Sequence, residues 1–284
     1  MLDYHIHPNY SIDAEDFSME EYCKRGLELG LKEICFTPHY EFDPVREQID
    51  WFARLGGKVV HIGESWLDEY FREGRQLQER YSKEGIAIKL GLEVGYDVGL
   101  EEAIAKVVEA YPFDLVLGSV HCIDHVAISS AQESSEYLPG TNLDDVVTKY
   151  YKTLARGVES GLFDVVAHLD LYRRHGAKCF GEQAYRAYQG YVEPILESMA
   201  KRGLGLEINT SSIKQGQDEF YPSKEIVRLA WEKGIRIFTT GSDAHRLREL
   251  GQGIEQAEDI LREFDCSPTS FDQRRPTTNC IQGS

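Results

Sequence analysis

Cationic side chains are scarce in this chain: 31 Lys and Arg face 48 Asp and Glu across 284 residues, for a formal charge of -17 and a pI near 5.0. A surface this negative repels phosphate backbones and anionic headgroups at long range. It argues against nucleic acid and membranes as partners and leaves room for bound cations. No apolar run reaches the roughly 18 residues needed to span a bilayer, and no secretion signal opens the chain. The six cysteines (Cys23, Cys35, Cys122, Cys179, Cys266, Cys280) form no CxxC pair and no regular framework, so the expectation is a cytoplasmic protein with free thiols. Core-forming residues are not lacking, since 42% hydrophobic and 28% charged is ordinary for a globular protein.

What is present alternates between strand and helix patterns. The opening Asp3-Tyr4-His5-Ile6-His7 reads as a strand whose alternate side chains Asp3, His5 and His7 share one face. A helix follows, capped by Ser18 and Glu21 and stopped at Gly30. A strand over 33–37 then leads to Pro38-His39. Residues 40–62 form a weakly periodic excursion, long enough to act as a lid over a site. Beyond it the pattern predicts a helix over 64–84, a strand over 86–93 ending in Glu93, and a helix marked by Ile104, Val107, Val108 and Tyr111. Strands at 114–120, 163–167, 204–208 and 235–240 follow. Helices lie between them around 146–161, 182–201 and 223–233, with a last one at 253–264. Seven strands alternating with helices predict a parallel α/β sheet closed into one barrel domain over 1–264, followed by a polar, loose tail over 265–284.

Barrel enzymes carry their chemistry at the C-terminal ends of strands. His5, His7, His39, His121, His168 and His245 fall within or just after predicted strands, as do Glu93 and Asp243. Imidazole nitrogen with carboxylate oxygen suits zinc, manganese or iron. Eight such groups exceed the roughly three protein ligands of one catalytic zinc, so two or three ions are implied. A multinuclear centre of that kind suits phosphoester hydrolysis, because two ions clamp both oxygens of an in-line displacement at phosphorus. Asp3 reads as a partner that orients His5 or His7. His61, His125 and His175 fall outside the pattern.

Taken together, His5-x-His7, Thr37-x-His39, Glu93, Gly118-Ser119-Val120-His121, Ala167-His168-Leu169-Asp170 and Gly241-Ser242-Asp243-Ala244-His245 resemble the polymerase-and-histidinol-phosphatase (PHP) metallohydrolases, from residue 3 to about 264. Ser119-Val120-His121-x-Ile123-Asp124, His168-Leu169-Asp170-Leu171-x-Arg173-Arg174 and Glu207-Ile208-Asn209-Thr210-Ser211, followed by Phe220-Tyr221-Pro222-Ser223, are most similar to the histidinol-phosphate phosphatases among them. The resemblance implies a distorted (β/α)7 TIM-like barrel with three ions drawn from zinc, iron and manganese. It implies release of phosphate from L-histidinol phosphate, a small phosphomonoester, in histidine biosynthesis. Another small phosphomonoester, phosphotyrosine or a phosphodiester is the alternative substrate.

Carried over by position, His5, His7, Glu93 and Asp243 would hold one ion, Glu93 with His121 and His168 a second, and Asp13, His39 and His245 a third. Asp243, His245 and Arg173 would serve catalysis, and Arg173 and Arg174 would fork onto the phosphate. Asp124, Glu219 and Tyr221 are candidates for reading the leaving group. Asp13 stands where relatives carry histidine, Pro38 where many carry an acid, and His125 where glycine is common.

Overall fold

The computed structural model describes residues 1–63 and 66–277. Seven strands, β1 (Leu2–Ile6), β2 (Glu33–Phe36), β3 (Ala87–Gly95), β4 (Leu115–Ser119), β5 (Val165–Val166), β6 (Gly205–Asn209) and β7 (Phe238–Gly241), pair side by side in chain order. Every pairing along that path is parallel. The last strand returns to the first: His7 N donates to Ala244 O at 2.9 Å and Thr240 Oγ1 to Leu2 O at 2.6 Å. The result is a nearly closed α/β barrel of the TIM-like kind. A two-residue strand, His39–Tyr40, pairs with the end of β3.

Strands covered on both faces need continuous apolar runs, and β4 is buried at all five positions. Tyr4, Cys35, Leu115, Leu117, Val165, Ala167 and Phe271 make one buried cluster, and larger clusters pack the sheet against helices. The helix Leu143–Ser160 shows how the outer layer is specified. The Asn142 side chain accepts from Asp145 N, the Val146, Val147, Tyr150, Tyr151, Leu154 and Val158 stripe is buried, and Gly161 stops the helix at φ 71.

Four expectations change. First, residues 266–277 are not a loose tail. Strands Ser270–Asp272 and Arg275–Thr277 pair as a hairpin, Phe271 N donates to Tyr4 Oη at 2.9 Å, and Phe271 is 1% exposed. A polar composition hid this, because few residues of the segment, among them Cys266, Thr269 and Phe271, are buried. Residues 278–284 lie outside the described residues. Second, the excursion after His39, weakly periodic in sequence, carries regular elements. It holds a 3-10 turn (Pro44–Arg46), a short helix (Glu47–Asp50) and an antiparallel hairpin (Phe52–Leu55 with Lys58–His61). Third, the helix expected around 182–201 is a 3-10 turn at Gly181–Tyr185 followed by a helix at Val192–Arg202. The helix expected over 64–84 spans Trp66–Ser82, and residues 64 and 65 lie outside the described residues. Fourth, Cys23, Cys35, Cys122 and Cys179 are free but Cys266 is disulfide-bonded, so the thiols are not all free.

The hairpin is fastened by Arg274, whose Nε lies 3.0 Å from Asp164 Oδ2 and whose Nη2 donates to Leu162 O at 2.7 Å. Burial pushes the Asp164 carboxyl up and Arg274 pulls it back. Arg274→Ala strands that carboxylate and is expected to cost about 2 kcal/mol, read as a lower urea midpoint with an unchanged slope. An unmoved midpoint would mean that the hairpin adds no stability.

Candidate metal centre

The C-terminal rim of the sheet gathers the predicted donors. β1 carries His5 and is followed by His7, both fully buried, and the pair His39↔Glu93 sits where the two-residue strand meets β3. His121, His168 and Asp243 each stand two residues beyond the last residue of β4, β5 and β7. His168 and Asp243 take φ of 33° and 53°, left-handed values that a non-glycine residue holds only when its surroundings demand it. Glu207 supplies part of that demand at His168 by accepting its backbone N–H at 2.9 Å.

Glu93 is the hub. Its Oε2 lies 3.2 Å from His5 Nε2, 3.3 Å from His7 Nε2 and 2.9 Å from His39 Nδ1. Its Oε1 lies 2.8 Å from His168 Nε2 and 3.2 Å from His121 Nε2. Asp243 Oδ1 approaches His7 Nε2 at 3.4 Å and His5 Nε2 at 3.8 Å. Toward solvent, Asp13 Oδ2 is 3.1 Å from His245 Nε2 and 3.4 Å from His39 Nε2. Three of the triplets formed here (His5, His7, Glu93; Glu93, His121, His168; His7, His39, His245) place their donor atoms within 4.8 Å of one another.

This donor set fits metal ions. The buried atoms His5 Nε2, His7 Nε2, His39 Nδ1 and Glu93 Oε2 make no hydrogen bond of ordinary geometry, although the three nitrogens lie 2.9–3.3 Å from that oxygen. Buried polar atoms are otherwise nearly always paired. Burial pushes the Glu93 carboxyl up, but the charges of His5, His121 and His39 outweigh it and hold the group well below the carboxylate range. Asp243 is held low against burial in the same way, first by His5 and then by His7 and Arg174. His7 is driven the other way, well below the usual imidazole value, by burial and then by His245 and His39. A neutral imidazole among ionised carboxylates is the form that binds zinc, manganese or iron.

A family model for the PHP domain matches residues 3–211. The chain belongs to the PHP domain family. Among curated relatives, "Probable histidinol-phosphatase" of Deinococcus radiodurans is 29% identical over 275 residues, covering 97% of this chain and 98% of that protein. Histidinol-phosphatase of Lactococcus lactis is 26% identical over 264 residues, covering 92% and 90% respectively. A crystal structure of the L. lactis histidinol phosphate phosphatase, complexed with zinc, L-histidinol and phosphate, superposes with a TM-score of 0.75 at 24% identity and 98% coverage of each chain. At that identity the superposition establishes the fold.

Beside the donors of this PHP barrel opens a cavity of about 340 Å³, within the range of small-molecule sites. Asp13, His39, Glu93, His121, His168, Asp243 and His245 line it, and so does Arg174, whose Nη2 is 2.7 Å from Asp243 Oδ2 and 3.0 Å from Ser211 Oγ. Arg173 does not line it. That guanidinium is 0% exposed, pairs with Asp170 through Nε at 2.8 Å, donates to Phe220 O and stacks over Tyr185 and Tyr221. The catalytic and phosphate-binding expectation for Arg173 is therefore corrected, because neighbouring residues on one helix point about 100° apart and Arg174 takes the cavity side.

Of the leaving-group candidates, Asp124 is bound to Lys149 and Tyr137 near the surface, Glu219 pairs with Arg173 and Tyr221 lies under both arginines; none of the three lines the cavity. Asp3 holds backbone rather than an imidazole, accepting from Ser242 N at 2.9 Å and Gly251 N at 3.0 Å. Residues that were missed are Glu207, 2.7 Å from His5 Nδ1; Ser11, 3.1 Å from His7 Nδ1; and Glu41, 2.7 Å from His121 Nδ1. Only Glu41, two after His39, carried a signal in its spacing.

Proposed function

We propose that this PHP-family chain is a phosphomonoesterase that hydrolyses L-histidinol phosphate to L-histidinol and phosphate, serving histidine biosynthesis in the cytoplasm. The observation that carries the reaction class is the convergence of unpaired buried nitrogen and oxygen donors on the floor of one cavity with a guanidinium at its edge. Relatives of matching length bearing the histidinol-phosphatase name support the substrate.

Three ions of zinc, manganese or iron fit the groups His5, His7, Glu93 and Asp243; Glu93, His121 and His168; and Asp13, His39 and His245. When bound, such ions supply positive charge for the phosphoryl oxygens and lower the pKa of water. The chain does the rest. Arg174, fixed by Asp243 and Ser211, offers charge-assisted hydrogen bonds to a phosphate. Glu41, Asp50 and Glu133 also line the cavity, where Arg46, which Glu133 grips at 2.7 and 2.8 Å, is the one arginine besides Arg174 among the described lining residues. That excess of negative charge suits a leaving group bearing an ammonium.

The test is phosphate release from L-histidinol phosphate beside an aryl phosphate whose aryl group is uncharged. Turnover of the first above about 1 s⁻¹ is expected, abolished in His168→Ala. In Arg174→Ala, kcat/KM should fall about 10 to 100-fold, the worth of a hydrogen bond to a charged group. Hydrolysis of the aryl ester alone would keep the metal centre and overturn the substrate.

A further inference from the structure

We propose that Glu41 is the positioning residue that aims His121 into the metal cluster, and that Gly95 is the position that admits it. The inference rests on the metal-centre reading above. His121 presents Nε2 to Glu93 Oε1 at 3.2 Å and Nδ1 to Glu41 Oε1 at 2.7 Å. A carboxylate on Nδ1 keeps the proton there, fixes the ring's rotation and leaves the Nε2 lone pair facing Glu93 and His168.

The position of Glu41 follows from strand register. His39 pairs with Glu93 and Tyr40 with Val94, so the next step sets Glu41 beside Gly95, the last residue of β3. A Cβ on Gly95 would overlap the Glu41 carboxylate and meets no other heavy atom among its three nearest. Gly95 is not among the residues of positive φ, so glycine is needed there for its missing side chain rather than for its backbone freedom. The same device recurs across the barrel. Glu207 Oε1 holds His5 Nδ1 at 2.7 Å, and a Cβ on Gly241, the last residue of β7, would overlap both that carboxylate and the Cβ of His5. Two strand-end glycines thus each make room for a carboxylate that grips the outer nitrogen of a donor imidazole.

The experiment compares Glu41→Ala, Glu41→Gln, Gly95→Ala and the double variant Glu41→Ala/Gly95→Ala. Readouts are ions retained per chain after dialysis, thermal unfolding, and kcat and KM with the same aryl phosphate. Glu41→Ala and Gly95→Ala are each expected to weaken retention of one ion about 10 to 100-fold, and to lower kcat while KM stays within about twofold. Glu41→Gln, which keeps an acceptor oxygen, should retain most of both. The double variant should be no worse than Glu41→Ala, because Gly95→Ala acts only through the carboxylate.

Losses that multiply in the double variant would overturn the proposal, as would single variants that retain ions like the wild type. A KM rise confined to L-histidinol phosphate, with ions retained, would make Glu41 a substrate contact instead. Retention is read without substrate. A wild type that binds ions but leaves L-histidinol phosphate intact would therefore remove the substrate assignment and leave this inference standing, whereas a wild type that binds no ion overturns both.

Discussion

Glu93→Gln is expected to lower kcat at least about 10³-fold, at the upper end of what one electrostatic group contributes at a reacting centre. The substitution keeps the shape and removes the charge. Five imidazoles lie within 2.8–3.3 Å of this carboxylate, three at Oε2 and two at Oε1. An amide presents a donor where one oxygen stood, and it would be a poorer ligand than a carboxylate for any ion that Glu93 would hold. Ion content should fall together with turnover, while Ser119, which donates to Oε1 at 2.5 Å, has an acceptor left only if the amide oxygen takes that side. Metal analysis beside steady-state kinetics decides it. A glutamine variant that keeps its ions and works within tenfold of the wild type would remove Glu93 from the centre of the site.

Exhaustive chelation is expected to lower Tm by roughly 8–16 °C per ion lost. An ion at a thousand times its dissociation constant stabilises the native state by about 4 kcal/mol, and about 2–4 °C accompanies each kcal/mol in a chain of this class. The sign with pH follows from the imidazoles. Burial lowers the His121 pKa, but Glu93 and Glu41 outweigh it and push it up to about 9. His5 and His39 are raised too, against burial, by Glu207, Glu93 and Asp243 in one case and by Asp13 and Glu93 in the other. Ions must displace those protons, so the metal-dependent part of Tm should shrink as pH falls and grow toward about pH 9. Paired melting curves with and without chelator across that range measure it. A Tm indifferent to chelator would mean that folding is not coupled to ion binding.

The barrel was legible because each strand is a short apolar run closed by a polar residue of unusual type. His39, His121, His168 and Asp243 punctuate the sequence at the places where strands end. What stayed hidden depends on neighbours distant in sequence. Glu207 opens one of the motifs of the resemblance, but its hold on His5, 202 residues away, shows only once β6 and β7 bring the two together. Arg173 and Arg174 are indistinguishable as a dipeptide, and only the turn of their helix gives one to Asp170 and the other to the cavity. Phe271 sits in a polar stretch whose composition conceals that a single ring fills a gap beside Tyr4.

The left-handed backbones of His168 and Asp243 also bear on directed evolution. Glycine adopts φ of 33° or 53° without strain, and relieving a strained residue is worth on the order of 1 kcal/mol. That relief is opposed by what each side chain holds: His168 Nε2 lies 2.8 Å from Glu93 Oε1, and Asp243 pairs at 2.7 Å with the Arg174 guanidinium, which glycine at 243 would leave without that partner. Selection for heat resistance and selection on released phosphate therefore both favour keeping these two side chains, with the left-handed backbone retained.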